Sequence, residues 1–269
     1  MRKHVNNYFA GMRKRTESNN EIGKGRKMSG ITEFIKRINR ACDSLIKRPA
    51  VNKEQLWRVP TPQQKCPPAS GGDAGPRTAV QVIDVSGSMG TSDYTPTRLD
   101  GAIRAAIDYV KARREQSAND RIAIVAFHTV AEVVLPLTPA TDTEAIIKAI
   151  RSLRASGGTD IAEGLKATVE ILGCEPQSNR QRHVILLSDG QGGKPLRMAR
   201  KLKDEYGATI DVVGIGGSPG AVNEALLRKV ATTDSDGFCH YRFIRDSKTL
   251  SEHYRQLATG LIWRGKKSD

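Results

Sequence analysis

The chain has 269 residues, 38% of them hydrophobic and 27% charged, which suits one large domain or one domain with a sizeable extension. No apolar run approaches the roughly 18 residues of a membrane span, and no Cys or His spacing suggests zinc. The net charge of +14 is uneven: residues 1–76 hold 16 Lys and Arg against 6 Asp and Glu, whereas residues 77–269 hold 27 against 23.

The first ten residues carry positive charge with no apolar core after it, so the expectation is a chain without a signal peptide. The four cysteines, Cys42, Cys66, Cys174 and Cys239, are scattered and form no CxxC pair, which fits a reducing compartment. Together these place the protein in the cytoplasm.

Residues 1–28 are polar and basic, with Arg13-Lys14-Arg15 and Lys24-Gly25-Arg26-Lys27. Ile31, Phe34, Ile35, Ile38, Cys42, Leu45 and Ile46 then recur at spacings of three, four and seven, which predicts an amphipathic basic helix over about residues 30–48. Such a helix packs on its own domain, or offers Arg37 and Arg40 to a partner groove or an acidic lipid surface. Residues 1–58 therefore read as a basic arm with one helix, and a basic block of this kind also attracts nucleic acid. Residues 59–76 have linker composition, rich in Pro and Gly. The main domain is expected over 77–263, with a basic tail at 264–269.

From residue 77 onward strand and helix signals alternate. Apolar runs of strand length lie at 78–84, 121–127, 130–137, 183–188 and 209–215. Between them run helical stripes: Leu99, Ile103, Ala106, Ile107 and Val110; Ile146, Ile147 and Ile150; Ile161, Leu165, Val169 and Leu172. Thr97 with Asp100 reads as a capping box, and Ser218-Pro219 as the start of a helix bearing Val222, Leu226, Leu227 and Val230. A last helix carries Leu250, Tyr254, Leu257 and Leu261. Continuous apolar strands alternating with helices predict an α/β fold with a mainly parallel sheet covered on both faces. The two runs that meet at His128-Thr129-Val130-Ala131 leave no room for a crossover helix, so they predict a hairpin and one antiparallel edge strand.

Ligands collect at the carboxyl ends of strands in such a sheet. Asp84, Ser86 and Ser88 follow the first strand, and Ser188-Asp189-Gly190 ends the strand that starts at His183. Ser156-Gly157-Gly158-Thr159-Asp160 lies between them in sequence, with Asp160 read as a helix cap. These loops offer carboxylate and hydroxyl oxygens with no nitrogen or sulfur, a donor set for magnesium, manganese or calcium. Taken singly, Asp84 with Ser86 is also an ordinary turn and Thr159 an ordinary cap. Residues 91–97 form a polar loop beside this cluster.

In these motifs the stretch from about 77 to 262 resembles a von Willebrand factor type A domain. Asp84-Val85-Ser86-Gly87-Ser88 matches the Asp-x-Ser-x-Ser element, Thr159 stands in Gly157-Gly158-Thr159, and Asp189 in Ser188-Asp189-Gly190. The resemblance fills all five positions of that family's metal-ion-dependent adhesion site. It implies a doubly wound, six-stranded sheet with one antiparallel edge strand, and a divalent cation completed by a partner's Asp or Glu. Few direct carboxylates would leave that cation electrophilic, hence serines and a threonine where an enzyme often has aspartates. Resemblance to the family's single-domain bacterial members further implies an adaptor, beside an AAA+ ATPase or in a signalling or stress system.

Enzyme readings fit less well. Ser86 stands where a haloacid-dehalogenase-like phosphatase needs its second aspartate. Gly214-Ile215-Gly216-Gly217-Ser218-Pro219 has proline at the third glycine of a dinucleotide fingerprint, and Gly192-Gly193-Lys194-Pro195 lacks a Walker A spacing. The histidines His4, His128, His183, His240 and His253 sit near no evident nucleophile. The sequence thus predicts a non-enzymatic binding module, with a nucleic-acid-associated protein as the alternative and a metal-dependent phosphohydrolase behind both.

Overall fold

The computed structural model describes residues 75–175, 179–190 and 192–260. The basic arm, its helix with Arg37 and Arg40, most of the linker and the basic tail lie outside the described residues.

Six strands form one sheet in the order β3-β2-β1-β4-β5-β6. They are β1 (Arg77–Asp84), β2 (Arg121–Phe127), β3 (Ala131–Pro139), β4 (Gln181–Ser188), β5 (Thr209–Ile215) and β6 (Tyr241–Ile244). All neighbours run parallel except β2 and β3, which form the hairpin expected at 128–131. β1 is buried along its whole length and pairs with β2 on one side and β4 on the other. This explains why Ala79–Ile83 reads as a nearly continuous apolar run, interrupted by Gln81, instead of an alternating one.

The two faces sort by parity. Ala79 and Ile83 of β1, Ile185 and Leu187 of β4, and Val213 and Ile215 of β5 share one core. That core is closed by α1 (Arg98–Gln116), α2 (Thr143–Arg151) and α6 (Ser247–Thr259) through Leu99, Tyr109, Ile146, Ile150, Leu250 and Tyr254. Val80, Val82, Val184, Leu186, Ile210 and Val212 face the other way. There α3 (Ile161–Cys174), α4 (Leu196–Asp204) and α5 (Glu224–Val230) cover them with Leu165, Leu172, Leu202 and Leu227. Gly164 lets α3 approach closely: a Cβ there would lie 2.9 Å from the Phe127 ring and 3.0 Å from Val82.

Several charged groups buried in this architecture are paired. At the amino end of the sheet Arg113 and the Arg77 backbone share the Asp120 carboxylate, while the two guanidiniums hold the Leu257 and Ala258 carbonyls at the end of α6. Under α1, Asp211 accepts from His183 at 2.6 Å and pairs with His240 at 2.9 Å. His183 and His128 thus take the structural positions expected of them, on a strand and in a hairpin turn.

Three expectations are refined. Thr97 does cap α1, accepting from the Asp100 backbone at 3.1 Å, and its hydroxyl also donates to the Asp100 carboxylate at 2.6 Å. Ser218-Pro219 opens only a short 3-10 turn, Pro219–Ala221; α5 starts later, capped by Asn223. Proline fits a first turn, but Val222 returns to extended backbone and ends it. The last helix ends at Thr259, where Gly260 adopts the left-handed conformation, and Leu261 lies outside the described residues. Among the described residues no helix is long and apolar enough to cross a membrane.

Candidate metal centre

Asp84 ends β1 and is fully buried. One carboxylate oxygen accepts from the Ser86 backbone at 2.8 Å and the other from the Ser188 hydroxyl at 2.6 Å. The chain then turns through a 3-10 segment, Gly87–Gly90, anchored by buried Met89. That turn aligns the hydroxyls of Ser86 and Ser88 at 3.0 Å. Ser88 in turn donates to Oδ2 of Asp189, which follows the end of β4. Four of the five predicted oxygen donors are therefore linked side chain to side chain or through one backbone group, from two strands adjacent in the sheet.

The third loop is fastened to the same place through its backbone. Ser156 N donates to Val85 O at 2.7 Å, and Gly87 N donates to Gly157 O at 2.9 Å. Asp160 N donates to His128 O at 2.7 Å. From the far side Gly192 presses on it: a Cβ there would lie 2.1 Å from the Thr159 carbonyl oxygen, and the glycine holds φ +116°. Asp160, not Thr159, caps α3, accepting from Ala162 N at 2.9 Å. The threonine side chain is thereby left outside the cap, in the loop that touches both others.

The electrostatics are unusual for a resting protein interior. Burial pushes the Asp84 carboxyl up to about 6, against the hydrogen bonds of Ser188 and Ser86, with the Asp189 charge adding to the rise. Asp189 Oδ1 is buried and has no hydrogen-bond partner among the described residues. An orphaned carboxylate oxygen in such a place is costly, and a hard cation would satisfy it. Two carboxylates, three hydroxyls and no nitrogen or sulfur fit Mg²⁺, Mn²⁺ or Ca²⁺ by donor type. Among the described residues no three His, Cys, Asp or Glu side chains gather as a metal cage.

Residues 79–191 match the family model described as the von Willebrand factor type A domain. A solved von Willebrand factor type A protein from Catenulispora acidiphila superposes with a TM-score of 0.54 at 27% identity, over 69% of this chain and 42% of that one. Over residues 79–191 the chain is thus similar to a von Willebrand factor type A domain. An uncharacterized protein of Synechocystis is 32% identical over 181 residues, covering 65% of this chain. The present chain spans only 39% of that relative's length. Proximal thread matrix protein 1 of the mussel byssus, solved with zinc in its metal-ion-dependent adhesion site, shares the fold at a TM-score of 0.55 and 23% identity, over 69% of this chain and 48% of its own.

Two residues near the centre escaped sequence reasoning. Ser188 was visible only as part of a motif, yet its hydroxyl links Asp84 to the Gly190 backbone at 2.6 and 2.9 Å. Arg98, which opens α1, lies 3.4 Å from Asp189 Oδ2 and pairs with Asp93 at 2.5 and 2.7 Å. The Arg98 guanidinium holds the Asp93 carboxyl below its usual range. Asp93 also accepts from Gly217 N at 2.7 Å, so the polar loop 91–97 is clasped to the loop after β5. Tyr94 in that loop is buried, and its hydroxyl donates to the Ile244 carbonyl. A charged residue on a helix otherwise read for its apolar stripe gave no sequence signal for this role.

Proposed function

We propose that this domain is a type A binding module in which Asp84, Ser86, Ser88, Thr159 and Asp189 hold a divalent cation, magnesium first among the candidates, and a partner's Asp or Glu completes its shell. The observation that carries the reading is the buried, partnerless Oδ1 of Asp189 at the junction of three mutually fastened loops. When bound, the cation supplies an electrophilic centre able to accept one further carboxylate. The chain's own residues orient the donors: Ser188 and the Ser86 backbone aim Asp84, Ser88 and Arg98 aim Asp189, and Gly192 braces Thr159.

An adaptor that docks acidic partners, an AAA+ ATPase among them, is the biological role we favour. We assign it a cytoplasmic setting on the scattered cysteines. A phosphohydrolase fits less well, because His183 and His240 are both committed to Asp211. The experiment is calorimetric titration of Mg²⁺ and Mn²⁺, then of acetate into the loaded protein. Asp84→Asn keeps the shape of the buried side chain and should lose cation and acetate binding while retaining the far-UV spectrum of the parent. Unchanged cation affinity in that variant would falsify the assignment.

A second reading rests on charge: residues 1–76 carry a net +10, so nucleic-acid binding through the basic arm is the alternative. Its salt dependence should be steep in the full chain and flat after deletion of residues 1–76.

A further inference from the structure

The metal centre has a positive charge of the chain's own set against it. Arg98 opens α1 and is buried, with a guanidinium that stands between two carboxylates. It engages them unequally. Nε donates to Oδ1 of Asp93 at 2.7 Å and Nη2 to Oδ2 at 2.5 Å, a two-pronged pair. Nη1 lies 3.4 Å from Oδ2 of Asp189, a long contact. Asp93 is pinned in turn, because its Oδ2 also accepts from Gly217 N at 2.7 Å. Next to it, buried Tyr94 donates its hydroxyl to the Ile244 carbonyl and fixes the loop. Neither Arg98 nor Asp93 is among the five oxygen donors.

The inequality matters because Asp189 cannot serve two cations at once. Its Oδ2 accepts from the Ser88 hydroxyl, and its buried Oδ1 has no partner among the described residues. A buried guanidinium released from Asp93 would seek the nearest carboxylate, since an unpaired buried charge is costly. A charge-assisted N–H···O bond settles at about 2.7–2.9 Å, so Nη1 would advance roughly 0.6 Å onto Asp189. There it would neutralise that carboxylate and repel an incoming divalent ion. Two short hydrogen bonds to Asp93 prevent this. The long Nη1 contact is enough to steer Oδ2 and too weak to discharge the carboxylate.

We propose that Asp93 is a positioning residue for the cation: it holds the Arg98 guanidinium off Asp189 and so keeps that carboxylate's charge available to a divalent ion. This rests on the cation reading of the centre. Asp93 acts through Arg98 and touches no ion itself. Arg98 alone opposes the ion, whereas the Arg98–Asp93 pair is nearly neutral toward it. Cation affinity is thereby set partly from outside the donor set, by loop 91–97 and by the loop after β5 to which Asp93 is tied.

The test is calorimetric titration of Mn²⁺ into the full chain and three variants, with thermal melting of each cation-free sample alongside. Asp93→Asn keeps the side chain's shape and an oxygen for Gly217 N but loses its charge on Arg98, and Mn²⁺ affinity should fall about 10–100-fold. Arg98→Gln removes the opposing charge while Ser88 still holds Oδ2, and should bind Mn²⁺ about five- to tenfold more tightly than the parent. The double variant Asp93→Asn/Arg98→Gln should regain most of the affinity lost in Asp93→Asn, because the guanidinium that Asp93 restrains is gone. Parental affinity in Asp93→Asn overturns the proposal. So does a double variant as weak as Asp93→Asn, which would mean that the aspartate acts only by clasping two loops together. Should Asp93→Asn not fold, the Arg98→Gln titration decides alone, and affinity at or below the parent's overturns the proposal. Failure of the parent to bind Mn²⁺ overturns the cation reading itself, and the proposal with it.

Discussion

Gly192→Ala is the sharpest probe of how the three loops depend on one another. The added Cβ would stand 2.1 Å from the Thr159 carbonyl oxygen and 2.9 Å from its carbon, at a backbone φ of +116°. Carbon and oxygen tolerate contact at about 3.3 Å, so one loop must retreat by roughly 1.2 Å. The obstruction is backbone, which no rotamer change relieves. Backbone strain of about 1–3 kcal/mol and overpacking of a similar size give a destabilisation of roughly 2–6 kcal/mol. For a domain of this size that lowers the melting temperature by about 4–24 °C. The displacement also pulls Thr159 away from Asp189, and disturbed support around a metal centre typically weakens it about 10–100-fold. Calorimetric melting and Mg²⁺ titration of the same sample read both effects. Gly207→Ala is the control, with φ +60° but open space around the new Cβ; it should cost about 1–2 kcal/mol and leave cation affinity alone. Parental cation affinity in Gly192→Ala would refute the reasoning, because the Thr159 loop would then be irrelevant to the ion.

Two further outcomes follow from buried charge. Asp120→Ala strands Arg113, whose side chain is 3% exposed and paired to that carboxylate, and should cost about 3–5 kcal/mol in urea denaturation, whereas a loss under 1 kcal/mol would show that water reaches the guanidinium. Burial opposes the charge on Asp211, yet hydrogen bonds from His183 and His240 hold its pKa well below the ordinary 3.8, so its stabilising contribution is present above that value and fades as pH falls below it. Asp211→Asn should flatten that acid limb of the stability–pH profile. An unchanged limb would mean the carboxylate is as well solvated unfolded as folded.

What was legible in the sequence was whatever depends on short-range pattern. β1, β2 and β5 were readable because they are buried on both faces and are mostly apolar, with Gln81 and Asp211 the only polar residues inside the runs of β1 and β5. β6 was not, since Tyr241–Ile244 has only four residues, two of them half-buried, and its place comes from pairing with β5. Tyr109 was missed beside a correctly read stripe because its hydroxyl needs His183 from β4, 3.3 Å away. The donor residues stood out as a triad of motifs, but their supports did not. Arg98 and Ser188 act across 91 and 104 residues of chain, and no local spacing encodes that. The start of α5 was misplaced for a related reason: Ser218-Pro219 satisfies helix-start chemistry, while Asn223 supplies the cap that the helix uses.

The division between donors and supports also locates where one such domain can differ from another. The donors lie on strand ends and tight turns whose geometry the sheet dictates, so their identities follow from what the ion requires. The surrounding contacts are not dictated in that way. Asp93 reaches Arg98 and Gly217 from a loop whose length is free to vary, and Val130 stands at a hairpin tip that the sheet needs only as a connection. On the proposed reading, the cation's appetite for a carboxylate cannot by itself tell one acidic partner from another. Discrimination has to come from side chains rigid enough to present a fixed surface and exposed enough to be touched.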